Sequence, residues 1–569
     1  MVKEKLRIGV LLDSYTVEAW ELKIFETLKN CSYADIKLVV LNDVEHIEYN
    51  KSLLSKIKNN KGRIFYVVFR KFLDTIYRKF IERRTYLPNA SQLVDSESLF
   101  KGFPIIKVKP IRKQWSDYFH ENDIQAIKEH DIDILIRFGF QILRGEILSS
   151  AKYGIWSYHH GDNNLNRGGP AGFWESMESW PEVGTILQIL TEDLDNGKIL
   201  ARSFSCTNKI SIQDNRSNYF WKSLTFMPKK IKELYSIGEK EFFEQVSYDN
   251  RHPLLYSERL YVKPSNLEYS RLIFRKFFEK AVLIFNNKIY FNQWILMFHL
   301  KDSPSSSLWR YKKIIPPKDR FWADPHILFK DDKYYIFIEE FMYATNKGHI
   351  SLMVMDESGN YENPIPILET PYHLSYPFVF EYQQDYYMIP ESGANKTVDL
   401  YKCVEFPLKW EYQKTLIKDI EAFDATVFYH HKKWWMFANV VEVEGASSWD
   451  ELHLFSADDP TSDEWRPHPK NPIVSDCKTA RPAGKIFSHN GLLYRPSQNC
   501  SVHYGYGFNI NEIIVLDGEN YSENLVSAVK PNWDKKICKT HTFNRVGSLH
   551  IIDASYTRYR WDLPGKLKK

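Results

Sequence analysis

The fold of the C-terminal half is decided by residues 322–340, WADPHILFKDDKYYIFIEE, because the chain restates this pattern downstream. It returns as SYPFVFEYQQDYYMIPES at 375–392 and FDATVFYHHKKWWMFANV at 423–440. Two looser copies follow, ARPAGKIFSHNGLLYRPSQN at 480–499 and HTFNRVGSLHIIDASY at 541–556. Each copy has a polar or small anchor, a short apolar strand, a polar turn and a second apolar or aromatic strand. The anchors are Asp324, Tyr376, Asp424, Arg481 and His541, spaced about fifty residues apart. Hairpins recurring at a fixed period predict a β-propeller with one blade per repeat, here five blades.

At 569 residues the chain exceeds what one hydrophobic core supports, so two or more domains are expected. The apolar share of 43% and charged share of 26% exclude a disordered chain. A net charge of +4 is too small for this length to indicate a nucleic-acid partner. Aromatic residues reach 15%, which suits both pleated sheets and carbohydrate binding. The six cysteines, at 31, 206, 403, 477, 500 and 538, form no CxxC pair, so reduced thiols and a cytoplasmic location are expected, with no bound metal. No run of eighteen apolar residues predicts a membrane span.

Towards the N-terminus, strand patterns at 7–12 and 36–41 flank a helical pattern at 16–28, a βαβ arrangement and hence a parallel sheet. The first turn, LLDSYTVEAW at 11–20, lacks the glycine fingerprint of dinucleotide enzymes. Further helices are expected at 123–129 and 217–234. Residues 63–84 carry Phe65, Phe69, Phe72, Ile76 and Phe80 at helical spacing, with charge from Arg70, Lys71, Arg78, Lys79, Arg83 and Arg84. Residues 270–285 repeat that style with Phe274, Phe277 and Phe278. Such helices either attach to an anionic membrane surface, here the inner face, or pack an apolar stripe on the domain. Weak periodicity between 248 and 287 marks the domain boundary. The expected division is an α/β domain at 1–245, a linker with an amphipathic helix at 246–287 and the propeller at 288–569.

The chemistry of the first domain is concentrated in 133–176, DILIRFGFQILRGEILSSAKYGIWSYHHGDNNLNRGGPAGFWES, and in TEDLDNGKIL at 191–200. Strands at 133–137 and 154–158 lead into a His- and Gly-rich loop, the end of an α/β sheet where active sites form. Adjacent histidines on a strand face opposite ways, which argues against one metal ion held by both His159 and His160.

This stretch resembles the formyltransferase family. Ser157-Tyr158-His159 stands where that family has Asn-x-His, Arg167-Gly168-Gly169-Pro170 matches its loop, and Asp195-Asn196-Gly197 its Asp-x-Gly element. FGFQILRGEIL at 138–148 is also similar. The resemblance implies a Rossmann-like α/β fold and transfer of a formyl group from 10-formyltetrahydrofolate to an amine, with an amino sugar or glycan as acceptor. His159 would polarise the formyl oxygen and Asp195 would assist proton removal. Ser157 departs from the family amide, so His160 or Asp162 would supply the missing donor, while Asp162, Arg167 and Gly168 would bind substrate.

In the propeller, Asp324, Asp424 and Arg481 are expected to point into the central channel, with Glu340, Glu391 and Gln498 near the ends of the second strands. The WADP and FDA elements resemble glycoside-hydrolase propellers, whose paired carboxylates stand about 5–10 Å apart. The SYPF, PES and RPAG elements resemble the N-terminal domain of plant glucosamine inositolphosphorylceramide transferases. Catalytic, glycan-binding and purely structural roles are all open to Asp324, Glu391, Asp424 and Arg481.

Overall fold

The computed structural model describes residues 3–44, 61–66, 68, 88–193 and 196–562. Two compact units divide the chain. One comprises 1–276 with a short excursion at 443–446, and the other takes 277–442 and 447–569. The break after Lys276 falls inside the segment expected to be a linker.

The first unit is an α/β fold built on a seven-stranded sheet. Its order is Lys198–Cys206, Glu182–Ile189, Ile155–His159, Ile134–Arg137, Leu6–Leu12, Ala34–Asn42 and Ile105–Val108. The last five strands run parallel, as the βαβ pattern requires. The sheet is nevertheless mixed, because Glu182–Ile189 pairs antiparallel with both its neighbours. Along Leu6–Leu12, Ile8, Val10 and Leu12 join one core with Trp20 and Ile24, while Leu11 joins another with Leu38 and Ile124. That alternation is the period-two geometry of a strand buried on both faces.

Local structure refines several expected boundaries. The pattern at 16–28 resolves into a three-residue strand, Thr16–Glu18, and a helix, Ala19–Asn30. A reciprocal capping box between Glu18 and Glu21 starts that helix. The expected helix at 217–234 is two helices, Ile212–Ser223 and Phe226–Ile237. Pro228 sits in the first turn of the second, where a missing N–H costs nothing. The weakly periodic stretch 248–287 contains a 24-residue helix, Asn266–Ile289, hereafter the linker helix. Of the basic segment expected at 63–84, nearly all lies outside the described residues.

Beyond the end of the linker helix the second unit is built of five antiparallel sheets. Sheet 1 holds Arg320–Lys330, Lys333–Met342, Lys347–Asp356 and Ile365–Leu368. Sheet 2 holds Ser375–Tyr382, Asp385–Glu391, Thr397–Glu405 and Lys409–Lys418. Sheet 3 begins with Ala422–His430 and Lys433–Val440, and sheet 4 with Phe487–His489 and Leu492–Asn499. Sheet 5 joins the unit's first long strand, Tyr290–Leu300, to its last, Leu549–Tyr559, over eleven residue pairs.

The hairpin of each of the first four sheets turns through two residues. Asp331-Asp332, Gln383-Gln384, His431-Lys432 and Asn490-Gly491 all have positive φ. This is the turn whose twist matches that of paired strands, and it favours Asn-Gly, which only the fourth sheet uses.

Candidate functional site

The repeat anchors share a backbone device. Asp324, Tyr376 and Asp424 have φ of 50°, 42° and 54°, a left-handed conformation uncommon outside glycine. At each, the register with the neighbouring strand slips, between Ala323 and His326, Ser375 and Phe378, and Phe423 and Thr426. A bulge of this kind re-aims a side chain, at a conformational cost of about 1–3 kcal/mol for the unusual φ. Here it brings the anchors of successive repeats into hydrogen-bonding distance.

The bonds run from sheet to sheet around the unit. Thr542 Oγ1 donates to Asp324 Oδ1 at 2.9 Å, and the Asp324 amide donates to Asp553 Oδ2 at 3.1 Å. The Tyr376 amide donates to Asp324 Oδ2 at 3.3 Å, and its hydroxyl lies 2.9 Å from Thr426 Oγ1. Gln498 Nε2 donates to Asp424 Oδ2 at 2.8 Å. The Phe543 amide donates to the Ala483 carbonyl at 2.7 Å, linking the fifth repeat to the fourth.

Inside this circuit lies a dense group of buried charges. Arg481 spans two carboxylates. Its Nε and Nη2 bind Asp424, and Nη2 also reaches Glu391 Oε2 at 3.0 Å. His541 Nδ1 lies 2.6 Å from Asp553 Oδ2, with Nε2 3.5 Å from Asp324 Oδ1. Burial, followed by the charge of Asp424, holds the Glu391 carboxyl well above the usual range. Burial, followed by the charge of Asp324, does the same to Glu339. Against the cost of burial, Asp553 is held low by His541 and His541 is held high by Asp553. The arrangement therefore sets carboxyls shifted upward, Glu339 and Glu391, beside one shifted downward, Asp553.

Half-buried aromatic rings surround the group. Trp294 stacks on His541 with ring centres 4.3 Å apart, and Tyr504 meets His541 edge-on. The Arg481 guanidinium lies 5.3 Å from the Phe423 ring centre and 5.1 Å from that of Tyr504. Trp449 is 5.7 Å from Tyr504. A sugar has use for both components, flat apolar faces and directed polar groups.

Asp324, Glu391, Asp424 and Arg481 are thus brought together. Glu340 is not part of the group. It accepts from Arg320 and Trp322 at 3.0 Å and from Ser351 at 2.7 Å, with His349 at 3.2 Å. Although burial opposes it, those bonds lower its pKa to about 2. Its neighbour Glu339 is the equivalent of Glu391, since Ala323 pairs with Glu339 as Ser375 pairs with Glu391. One residue along a strand changes the face, and only the register distinguishes the two glutamates. Asp553, on the second strand of the fifth copy, joins the group as well, although it was not among the expected residues.

In the α/β unit the expected catalytic groups are engaged locally. Ser157 is buried and accepts from Arg137 Nη1 at 3.2 Å. His159 Nε2 is 2.9 Å from the Asn166 carbonyl. His160 is enclosed by Trp20, Tyr158, Tyr219 and Phe220, with Nδ1 3.0 Å from Thr185 Oγ1. Burial, then the charges of His159 and Arg216, push its pKa well down. Asp162 closes a turn by accepting the Asn164 amide, and Arg167 donates to the Asn163 carbonyl and covers the Tyr256 ring. Gly168 serves close packing, since a Cβ there would stand 1.9 Å from the Tyr261 carbonyl oxygen. Asp195 lies outside the described residues.

The family-model match falls within the five-sheet unit. Residues 314–557 match the family model described as glucosamine inositolphosphorylceramide transferase 1, N-terminal. Curated relatives of that name from Arabidopsis thaliana and Oryza sativa subsp. japonica are each 34% identical over 206 residues, 36% of this chain and 27% of theirs. The chain therefore matches about a quarter of the length of these relatives. Among solved structures, the family 117 glycoside hydrolase Zg3597 of Zobellia galactanivorans is 12% identical with a TM-score of 0.31, covering 47% of this chain and 90% of that one. A phosphoribosylglycinamide formyltransferase from Anaplasma phagocytophilum is 16% identical with a TM-score of 0.28, covering 41% and 88%.

These findings correct the expected activity. The matched relatives are named as transferases of glucosamine inositolphosphorylceramide, a different class of transferase from one that moves formyl groups. Formyl transfer, the formyltransferase assignment and 10-formyltetrahydrofolate as cofactor are set aside.

Proposed function

We propose that this chain works in glycan or glycolipid assembly. Its five-sheet unit is read as a five-bladed propeller that binds a sugar headgroup for a glycosyl transfer. The observation that carries the reading is the convergence of Asp324, Glu339, Glu391, Asp424 and Arg481 beneath the rings of Trp294, Phe423 and Tyr504. Glu339, Glu391 and Arg481 supply the polar groups that meet sugar hydroxyls, and the rings cover the sugar's C–H faces. The 34% identity to the named transferases supports a glucosamine- and inositol-phosphate-bearing lipid as the ligand class.

A test is ligand-observed NMR with glucosamine, inositol phosphate and their conjugate. Signal transfer from the conjugate, lost in Glu391→Gln and Tyr504→Ala, is the expected result. Absence of transfer from every sugar, or full retention in both variants, would overturn the reading.

A second reading is hydrolysis at the same group. It is favoured by one observation: the Arg481 guanidinium holds two carboxyl groups, Glu391 and Asp424, side by side, and glycoside hydrolysis uses such a pair. Release of nitrophenol from aryl glycosides, abolished by Glu391→Gln, would select hydrolysis over binding.

A further inference from the structure

The linker helix, Asn266–Ile289, runs through the break after Lys276 and presents an exposed apolar face. Tyr269 and Leu272 point inward and pack with Phe173, Trp174 and Tyr261. On the opposite side, Leu267 is 62% exposed, Phe274 73%, Phe277 72%, Phe278 62% and Phe285 63%. Every residue from Phe277 to Lys288 is exposed. Positions 267, 274, 278 and 285 fall on one line along the helix, flanked by Phe277 and Val282. Four phenylalanines on one helical face form the type of patch that soluble surfaces rarely leave uncovered.

Charge identifies the occupant. The helix carries five basic residues, Arg271, Arg275, Lys276, Lys280 and Lys288, against Glu268 and Glu279. Glu268 is already held by Arg259 at 2.8 Å. Beside the apolar stripe a cavity of about 390 Å³ is lined by Arg271, Arg275, Glu178 and Glu268, with Arg259 also holding Glu178 at 3.1 Å. Arg271 pairs with no carboxylate among the described residues. The arc from Phe277 to Val282 spans roughly 140° of the helix, wider than the seam of a two-helix pair, and holds Arg271 and Lys288 as well as the phenylalanines. No helix among the described residues is long and apolar enough to cross a membrane.

We infer that the linker helix lies in the interfacial plane of an anionic lipid bilayer. The phenylalanines enter the acyl boundary, and Arg271, Lys280 and Lys288 meet lipid phosphates, while Arg275 and Lys276 bond to Met177 and Ser179. This inference goes beyond the sugar-binding reading and stands without it.

Sedimentation of the full chain with vesicles of phosphatidylcholine, alone or containing phosphatidylserine, provides the test. Binding to the anionic vesicles should exceed binding to the neutral ones by about tenfold. A Phe277→Glu/Phe278→Glu variant should lose that binding while keeping its melting temperature and its response to sugar. Lys280→Glu/Lys288→Glu should lose only the preference for anionic lipid. Hydrogen exchange should show new protection at 277–288 on vesicles, a readout that needs no variant. No binding by the wild type, undiminished binding by the phenylalanine variant, or no protection would overturn the inference. So would a wild-type dimer that the phenylalanine variant turns into a monomer.

Discussion

Arg481 grips Asp424 with two nitrogens, Nε 2.5 Å from Oδ2 and Nη2 3.2 Å from Oδ1, although fifty-seven residues separate them. Both are buried, so each is the other's principal compensation for lost water. The pair ties the third repeat to the fourth and fixes where Glu391 meets the same guanidinium.

Breaking that pair leaves an uncompensated buried charge. Asp424→Asn should destabilise the chain by about 3–5 kcal/mol, and Arg481→Met by a similar amount. The double variant should lose less than the sum of the two, because neither charge remains. Denaturant unfolding of the three proteins checks this, and strict additivity would contradict it.

Glu339 and Glu391 give a stability that falls as pH rises. Their folded pKa values are raised by burial and by neighbouring carboxylates. The folded state thus keeps protons that the unfolded chain releases above the ordinary glutamate value of about 4.3. Their contribution is full below that value and declines as pH climbs through the raised ones. Glu339→Gln removes one of the titrating groups, so its melting temperature should drop less than the wild type's between about pH 5 and pH 8.

Glu340 behaves oppositely. Its folded pKa, near 2, lies below the unfolded value, so its contribution is present above about 4.3 and is lost as pH falls towards 2. Glu340→Gln should cost about 1–3 kcal/mol at neutral pH, and the gap to wild type should close on acidification. A gap that stays constant down to that pH would show that the carboxylate charge contributes nothing.

The turn at Gln383-Gln384 holds two non-glycine residues at positive φ, 51° and 68°. Replacing them with Asn-Gly suits the same turn and should raise stability by roughly 0.4–1 kcal/mol. A rise in melting temperature without a change in sugar response is the expected outcome. A fall would mean that these side chains make contacts outweighing the backbone strain.

His160 is caged by aromatic rings and held neutral. Its imidazole resonances should not move between about pH 5.5 and pH 8, whereas an exposed histidine would titrate there. Movement in that range would mean that water enters the cage.

The repeats were readable because hairpins restate apolar alternation, polar turns and an anchor at a regular interval. Asp324, Tyr376, Asp424, Arg481 and His541 were all recognisable in that way. Glu339 was not, since Glu339 and Glu340 are identical in type and adjacent. The resemblance around Ser157 and His159 was legible as a pattern of residue types, yet the hydrogen bonds of those side chains were not.

The sequence alone determined an α/β part followed by five β repeats, because periodicity of two and of 3.6 is a local property of the chain. Tertiary structure decided which groups share a site. The bulges at Asp324, Tyr376 and Asp424 turn the anchors towards one another, and the register beyond each bulge selects Glu339 over Glu340. In the sequence Arg481 and Asp424 are two opposite charges far apart along the chain. Burial against each other, out of water, is what makes that difference large.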